Sequence, residues 1–233
     1  MPRTARAAVG GVTYHVLNRG NDRARIFHKP ADFDAFVKIL VDGLRHASIE
    51  LLAFCLMGNH WHLILRPRGD KDLARYLSWI TNTHVKRYRA HRPGGSGHLY
   101  QGRFKSFPVE DDEHLLVVIR YVEANPLRAG MVKRAQAWRW SSLGCGREVR
   151  AALLSDWPID RPGDWTATVN RDMPRRQMRA VRTAIERGRP FGSESWMSKM
   201  VDAMDLTFTL RPRGRPRKRA AEPSGRRRRR EKS

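Results

Sequence analysis

Residues 49–65 read IELLAFCLMGNHWHLIL and contain two apolar runs separated by Gly58 and Asn59. The first run, Ile49–Met57, is typical of a buried strand, and His60–Leu65 is typical of the next strand. Glycine and asparagine are common turn residues, so they mark the connection between the two strands. This stretch therefore predicts the centre of a single antiparallel sheet.

The segments on either side of this hairpin predict further strands and helices. In chain order they are a strand at Gly11–Arg19, a helix at Asp32–His46, a helix at Asp70–Ala90, an extended segment at His98–Val109 and a helix at Glu113–Asn125. Pro126 stops the last helix, because the residue before a proline disfavours helical geometry. The order β-α-β-β-α-β-α predicts an α+β fold of ferredoxin type, an antiparallel sheet with helices packed on it.

Composition divides the chain into three parts. The 233 residues suffice for one globular domain with appendages. We expect one domain at residues 1–145, a helical extension at 146–210 and a disordered basic tail at 211–233. Short helical patches are predicted around Met178–Arg187 and Ser195–Met204.

Charge points to a polyanionic partner. The formal net charge is +23, from 46 lysines and arginines against 23 acidic residues. Residues 211–233 hold 12 basic and 2 acidic side chains, which leaves 34 against 21, or +13, over residues 1–210. Because the part expected to fold is itself basic, nucleic acid or an anionic surface is the expected partner.

The sequence favours a cytoplasmic protein without a membrane span. The longest clean apolar run, Leu51–Met57, is far below the ~20 residues that a spanning helix needs, and the N-terminus has no signal-peptide pattern. Cys55 and Cys145 lie far apart and form no CxxC motif. A reducing compartment is therefore expected.

His60 and His62 are the first residues that predict chemistry. Two histidines two apart on a strand point to the same side, while Trp61 between them points to the other. On the third predicted helix, Tyr121 and Asn125 are four residues apart and share a face. Two imidazoles and an amide oxygen could hold a divalent metal beside a phenol.

Each of these residues also has a simpler explanation. Paired histidines on a strand are often packed or solvated, and an amphipathic helix often carries a tyrosine with its hydroxyl at the edge of the core. Asn125 before a proline can be a helix C-cap. A structural zinc site using Cys55 with the two histidines is weaker, since no fourth ligand stands at a suitable spacing.

The conjunction of motifs resembles a known family. Met57–Leu65 looks like the HUH signature (histidine, hydrophobic residue, histidine) of the single-tyrosine, IS200-like transposases, and Arg120–Gly130 resembles their tyrosine helix. The resemblance covers roughly residues 8–145 and is closest to the REP-associated tyrosine transposases. Within that range the supporting segments are Gly11–Val16, Asn18–Asn21, Gly97–Phe104 and Trp138–Ser142. Beyond it, Gly188–Ser193 and Arg213–Arg217 resemble the C-terminal region of the REP-associated group. Gly58 departs from the family pattern, which usually has proline there.

The resemblance implies an HUH endonuclease fold and a mechanism. Tyr121 would attack a phosphodiester of single-stranded DNA beside a hairpin and form a 5′-phosphotyrosine link. His60, His62 and Asn125 would bind Mg²⁺ or Mn²⁺. No nucleotide cofactor is expected, because one phosphodiester is exchanged for another. The protein would act as a monomer or a homodimer.

Arginine and lysine side chains are the expected DNA contacts, although each taken singly is more often a solvated surface charge. The predicted set comprises Arg3, Arg6, Arg19, Arg23, Arg87, Arg103, Lys105, Arg213 and Arg215. Arg213–Arg217 also looks like an AT-hook, whose arginines enter a narrow minor groove. A merely adhesive basic tail is the alternative.

Three functions stay open from the sequence. The first is a metal-dependent strand transferase or nickase, the second a non-catalytic binder of hairpin DNA or RNA, and the third a hydrolytic metallonuclease in which Tyr121 only packs. Tyr100 is the rival nucleophile, although its predicted extended setting favours packing or base stacking.

Overall fold

The fold is built on a four-stranded antiparallel sheet in the strand order β2-β3-β1-β4. The computed structural model describes residues 8–92 and 97–210. The strands are β1 (Thr13–Arg19), β2 (Ile49–Met57), β3 (His60–Pro67) and β4 (Lys105–Val109). With helices after β1 and β3, this is the predicted ferredoxin-like α+β arrangement, which is confirmed.

Helices cover both faces of the sheet. Their bounds are α1 (Pro30–Gly43), α2 (Asp72–His91), α3 (Glu113–Glu123), α4 (Asn125–Arg128), α5 (Arg147–Leu153), α6 (Trp165–Asn170), α7 (Arg175–Arg187) and α8 (Glu194–Ala203). The predicted patches in the extension correspond to α7 and α8. The short helices α5 and α6 were not predicted.

Alternation along β3 separates the two faces. Trp61, Leu63 and Leu65 enter the core that α1 and α2 cover, which we call the closed face. His62 and Ile64 point to the opposite side, which we call the open face, where α3, α6 and α7 contribute to a second core. Because strand side chains alternate, one residue of register decides the face on which each side chain lies.

The extension, residues 146–210, packs against both cores. Leu153 and Met204 join the core of the closed face, and Trp165 and Val181 join the core of the open face. The tail predicted to be disordered lies outside the described residues. Within the described residues, no helix combines the length and apolar character that a membrane crossing requires.

Two predicted boundaries were wrong. The extended segment expected from His98 becomes a strand only at Lys105, since residues 97–104 are irregular apart from a single bridge between Tyr100 and Gly20. The helix expected to reach Asn125 ends at Glu123, and Asn125 begins α4. Pro126 is accommodated there because a proline in the first turn of a helix removes no intrahelical hydrogen bond.

Candidate active site

His60, His62 and Tyr121 lie together on the open face. The two histidine rings are 5.0 Å apart between centroids, as expected for residues two apart on β3. The Tyr121 ring, which α3 carries over the sheet, lies 6.0 Å from the His62 ring. Residues about sixty positions apart in sequence therefore form one cluster.

Hydrogen bonds fix the orientation of both rings. The Nδ1 atom of His60 lies 2.6 Å from Oδ1 of Asn59, and Nδ1 of His62 lies 2.8 Å from Nε2 of His15. When each Nδ1–H donates to its partner, the Nε2 lone pairs of His60 and His62 are free. A histidine that binds a metal usually has its second nitrogen held in this way.

Burial keeps these imidazoles neutral. It lowers the pKa of His60 to about 4, with a smaller contribution from the positive charge of Arg19. Burial also lowers the pKa of His62 well below its ordinary value, with the neighbouring His15 adding to the effect. Neutral imidazole is the form that binds a metal, so the two rings are in the protonation state of a metal site.

Asn125, the third predicted metal ligand, lies four residues after Tyr121 in sequence. Its backbone carbonyl accepts from the N–H of Ala129, and the residue is half-buried. Among the described residues, its side chain makes no hydrogen bond. Two neutral imidazoles and an amide oxygen are ligand types that a divalent ion such as Mg²⁺ or Mn²⁺ accepts.

Two arginines place positive charge beside this cluster. Arg19 stands opposite His60 in the β1–β3 register. The guanidinium carbon of Arg128 lies 4.2 Å from the centre of the Tyr121 ring, a cation–π contact. Nε of Arg19 and Nη1 of Arg128 are shielded from solvent and have no hydrogen-bond partner. Such donors are suited to an incoming anion such as a phosphate.

A cleft of about 390 Å³ opens beside Tyr121. Arg19, Arg103 and Lys105 from the predicted DNA-binding set line it. Helix α7 contributes Arg182 and Glu186 to the same cleft, which the sequence analysis did not anticipate.

The other predicted DNA contacts are placed elsewhere. Arg23 is exposed in the turn after β1, where its carbonyl accepts from Nδ2 of Asn59, next to the first histidine. Arg87 is exposed on α2, which covers the closed face, so the structure does not bring it to Tyr121. Arg3, Arg6, Arg213 and Arg215 lie outside the described residues.

The rival nucleophile Tyr100 is buried in the core of the closed face. Its hydroxyl accepts from Nε1 of Trp61 at 3.0 Å and lies 2.6 Å from Nδ1 of His84. Burial raises the pKa of Tyr100 above its ordinary value. With its hydroxyl committed and shielded, Tyr100 is a packing residue.

A second group of ligand-type side chains lies at the start of α3. Glu110, Asp112 and His114 have ligand atoms within 4.8 Å of one another, so they could hold a metal. Their oxygens already have partners, however: Asp112 caps α3 by accepting from the N–H of His114, and Glu110 accepts from Ser193. Within the described residues, Cys55, His60 and His62 do not form such a group, which leaves the zinc alternative without support.

Sequence reasoning missed His15 and Arg128. His15 lies on the open face because β1 pairs with β3 in a register that places Leu17 opposite His62. Arg128 was present in the quoted tyrosine-helix motif, but its contact with Tyr121 depends on the break between α3 and α4. Register and helix breaks follow from tertiary packing, so the motif alone did not assign these two residues a role.

Comparison with known proteins assigns the chain to a family. The family described as "Transposase IS200 like" matches residues 8–125, and the chain belongs to that family. The match includes the hairpin, both histidines and the tyrosine helix.

Two curated relatives and one solved structure are similar to the chain. A putative REP-associated tyrosine transposase of Haemophilus influenzae is 26% identical over 125 residues, covering 48% of this chain and 68% of the relative. The REP-associated tyrosine transposase of Escherichia coli is 25% identical over 158 residues, covering 67% and 88%. A solved REP-associated tyrosine transposase bound to a REP hairpin superposes with a TM-score of 0.52 at 22% identity, covering 74% of this chain and 95% of that one, and so shares the fold.

Proposed function

We propose that this chain is a metal-dependent endonuclease and strand transferase that acts on single-stranded DNA beside hairpins such as REP-like palindromes. The observation that carries the proposal is the convergence of His60, His62 and Tyr121 on one face of the sheet, where Tyr121 also lines a cleft. Membership of a transposase family and the name of the hairpin-bound relative support the substrate. The charge of +13 outside the tail supports a polyanionic partner.

Tyr121 is the proposed nucleophile. Its Oη gives up its proton and attacks the phosphorus, so that an Oη–P bond forms and the P–O3′ bond breaks. The departing 3′ oxygen takes up a proton, and the DNA keeps a 5′-phosphotyrosine link. Attack by a 3′-hydroxyl reverses the exchange and releases the tyrosine. Because one phosphodiester replaces another, the reaction needs no nucleotide cofactor.

Arg19 and Arg128 would bind the phosphate undergoing attack. Both have a shielded guanidinium nitrogen without a partner, and both flank the cluster. Positive charge held in place before the reaction stabilises charge that develops in the transition state. Arg128 also packs on the Tyr121 ring and so restricts its orientation.

His60, His62 and Asn125 would hold Mg²⁺ or Mn²⁺. When bound, the ion supplies Lewis-acid polarisation of the scissile phosphate. The contribution of the chain is to present two neutral imidazoles fixed through Asn59 and His15.

A covalent adduct between protein and DNA tests the proposal. The full chain is incubated with single-stranded hairpin oligonucleotides and Mn²⁺, and the products are separated under denaturing conditions. We expect a shifted protein–DNA species that a chelator abolishes and that Tyr121→Phe does not form while still binding the hairpin. Continued cutting by Tyr121→Phe would indicate a hydrolytic nuclease. Hairpin binding with no cutting by either protein would indicate a regulator.

A further inference from the structure

A larger cleft, separate from the one beside Tyr121, lies between α3, α7 and the start of α8. Its volume is about 780 Å³, within the range of roughly 300–1,000 Å³ typical of ligand pockets. Its apolar walls come from Val117, Ala180, Ala184, Pro190, Phe191 and Met197. Arg176, Arg179 and Arg189 line it as well, and Glu113 is the carboxylate among its lining residues.

The loop at residues 188–193, GRPFGS, builds one wall of this cleft. Gly188 ends α7 in a left-handed conformation with φ of 68°, which glycine adopts without strain. The chain then pairs with the edge of β4, because the N–H of Phe191 donates to the carbonyl of Pro108 and the N–H of Glu110 donates to Phe191. The Phe191 ring meets His114 edge-on at 5.4 Å between centroids. The wall is therefore fixed by backbone hydrogen bonds.

Two further contacts keep the loop in place. Oε2 of Glu110 accepts from the N–H of Ser193 at 2.6 Å, and the side chain of Ser193 caps α8. A Cβ at Gly192 would lie 2.6 Å from Oε2 of Glu110, so only glycine fits there. A cleft formed in advance costs a ligand little ordering entropy.

The charge at the cleft matches phosphate groups. Arg176 and Arg179 are exposed on α7, and within the described residues neither they nor Arg189 makes an ion pair. Beside them, Oε1 of Gln177 is shielded and has no hydrogen-bond partner. Apolar walls next to unpaired guanidinium groups are what an unstacked base and its phosphates require.

The position of the cleft connects it to the nucleophile. Val117 lies four residues before Tyr121 on α3, one turn or about 6 Å along the helix axis. On α7, Arg182 lines the cleft of Tyr121, and Arg179, one turn earlier, lines the larger cleft. A strand that leaves Tyr121 would therefore cross α7 over these two arginines.

We propose that the α3–α7 cleft binds an unpaired nucleotide of the single-stranded DNA that Tyr121 attacks, with Arg176, Arg179 and Arg189 contacting its flanking phosphates. This inference rests on the proposed function for the identity of the strand. It assigns a role to the GRPFGS loop, which lies away from the catalytic cluster.

The test measures binding by the Tyr121→Phe variant, so that cutting does not interfere. A failure of nucleotide binding at the cleft can then be told apart from a failure of the proposed cleavage chemistry. Hairpins with a single-stranded extension carry one abasic site at successive positions, and their affinity is measured by fluorescence anisotropy. We expect one or two positions at which loss of the base weakens binding about 5- to 50-fold, the size of effect that losing one stacked base produces. A flat profile would overturn the proposal.

Filling the cleft provides the second arm. Ala180→Trp places an indole in the cleft from an exposed helix position, and Ala74→Trp on α2 is the matched control. Ala180→Trp should weaken binding of the intact strand about tenfold and remove the sensitivity to the abasic site. The proposal would be contradicted if Ala180→Trp and the abasic site weakened binding independently, so that their effects on affinity multiply. An equal loss of affinity in Ala74→Trp would also contradict it.

Salt dependence separates phosphate contacts from general charge. Arg176→Ala/Arg179→Ala should lower the slope of log affinity against log salt by about 1.4, or roughly 0.7 for each lost contact to a single strand. Arg45→Ala/Arg147→Ala removes two exposed charges elsewhere and should leave the slope unchanged. Equal slopes in both double variants would overturn the assignment. If Arg176→Ala/Arg179→Ala weakened binding of an RNA strand of the same sequence more than binding of the DNA strand, the choice of DNA would be overturned.

Discussion

The two faces of the sheet carry similar residues and use them in opposite ways. On the closed face, Trp61, His84 and Tyr100 form a buried network in which the hydroxyl of Tyr100 has two partners. On the open face, the buried His62 meets the ring of Tyr121 edge-on, and Tyr121 lines a cleft. Residue type alone therefore does not identify a site: the closed-face residues have their hydrogen-bonding groups committed, whereas Tyr121 lines a cleft, and function is expected there.

The tryptophan between the two histidines belongs to the opposite face. Trp61 belongs to the closed face, is fully buried, and anchors β3 through its bond to Tyr100. Because alternate residues on a strand point to opposite sides, this anchor leaves His60 and His62 on the open face. One tripeptide thus contributes to the core and to the site.

The largest difference between the two faces is expected when one histidine on each face is replaced. We expect His62→Ala to reduce adduct formation roughly 100-fold or more, because a proposed metal ligand is lost. His84→Ala should instead lower the free energy of unfolding by about 2 kcal/mol, because the buried Tyr100 hydroxyl loses a partner, with the rate per folded molecule kept. Denaturing gels and urea unfolding measure the two effects. Similar rate losses in both variants would contradict the assignment of the faces.

The next largest effect is expected at Arg128. Arg128→Ala should slow adduct formation about 10- to 100-fold, because it removes a charge held against the Tyr121 ring and the expected phosphate. Arg128→Lys should recover only part of the rate, since lysine lacks the planar group that stacks on the ring. Single-turnover kinetics with saturating hairpin measure this step. A purely structural role for Arg128 would lower stability while leaving the single-turnover rate intact.

Glu123 lies two residues after Tyr121, yet both of its carboxylate oxygens already have hydrogen-bond partners. It accepts from Ser142 Oγ at 2.6 Å and from Trp165 Nε1 at 2.7 Å. Burial raises the pKa of this carboxyl, so its contribution to stability is fully present below the unfolded pKa and is lost as pH rises through the folded pKa.

Glu123→Gln should therefore gain stability relative to the parent protein as pH rises from about 4 to 8. Each unit by which the pKa is raised contributes about 1.4 kcal/mol to this trend. Urea unfolding at several pH values measures it, and the rate of adduct formation should change little. A stability difference that is constant with pH would show that the carboxyl is not perturbed.

The smallest effect on chemistry is expected from the tail. Deleting residues 211–233 removes 12 basic and 2 acidic side chains, including Arg213 and Arg215. The deletion should flatten the salt dependence of DNA binding and leave the cleavage rate of bound substrate unchanged. Binding isotherms at several salt concentrations measure the slope, and an unchanged slope would refute a DNA-binding role for the tail.

The sequence predicted the sheet well because its signals are local. Alternation in β1 and the apolar runs of β2 and β3 gave the strands, and Gly58 with Asn59 gave the turn. The short helices α5 and α6 escaped prediction, since six or seven residues in a segment rich in proline and glycine give weak periodicity.

The site was only partly predictable for a different physical reason. His60, His62, Tyr121 and Asn125 belong to motifs and could be identified from the chain alone. His15 depends on the β1–β3 register, and Arg182 depends on how α7 packs over α3. Pairing register and helix docking are set by the whole core, which a single sequence does not reveal.

Identifying the residue that carries the DNA is the decisive test of Tyr121 as the nucleophile. After reaction with a hairpin oligonucleotide and Mn²⁺, the adduct is digested with a protease and a nuclease, and the peptide bearing the nucleotide is sequenced by mass spectrometry. We predict a single 5′-phosphotyrosine at Tyr121 on the open face. Attachment at Tyr100 on the closed face, or cleaved DNA with no nucleotide on any tyrosine, would contradict it.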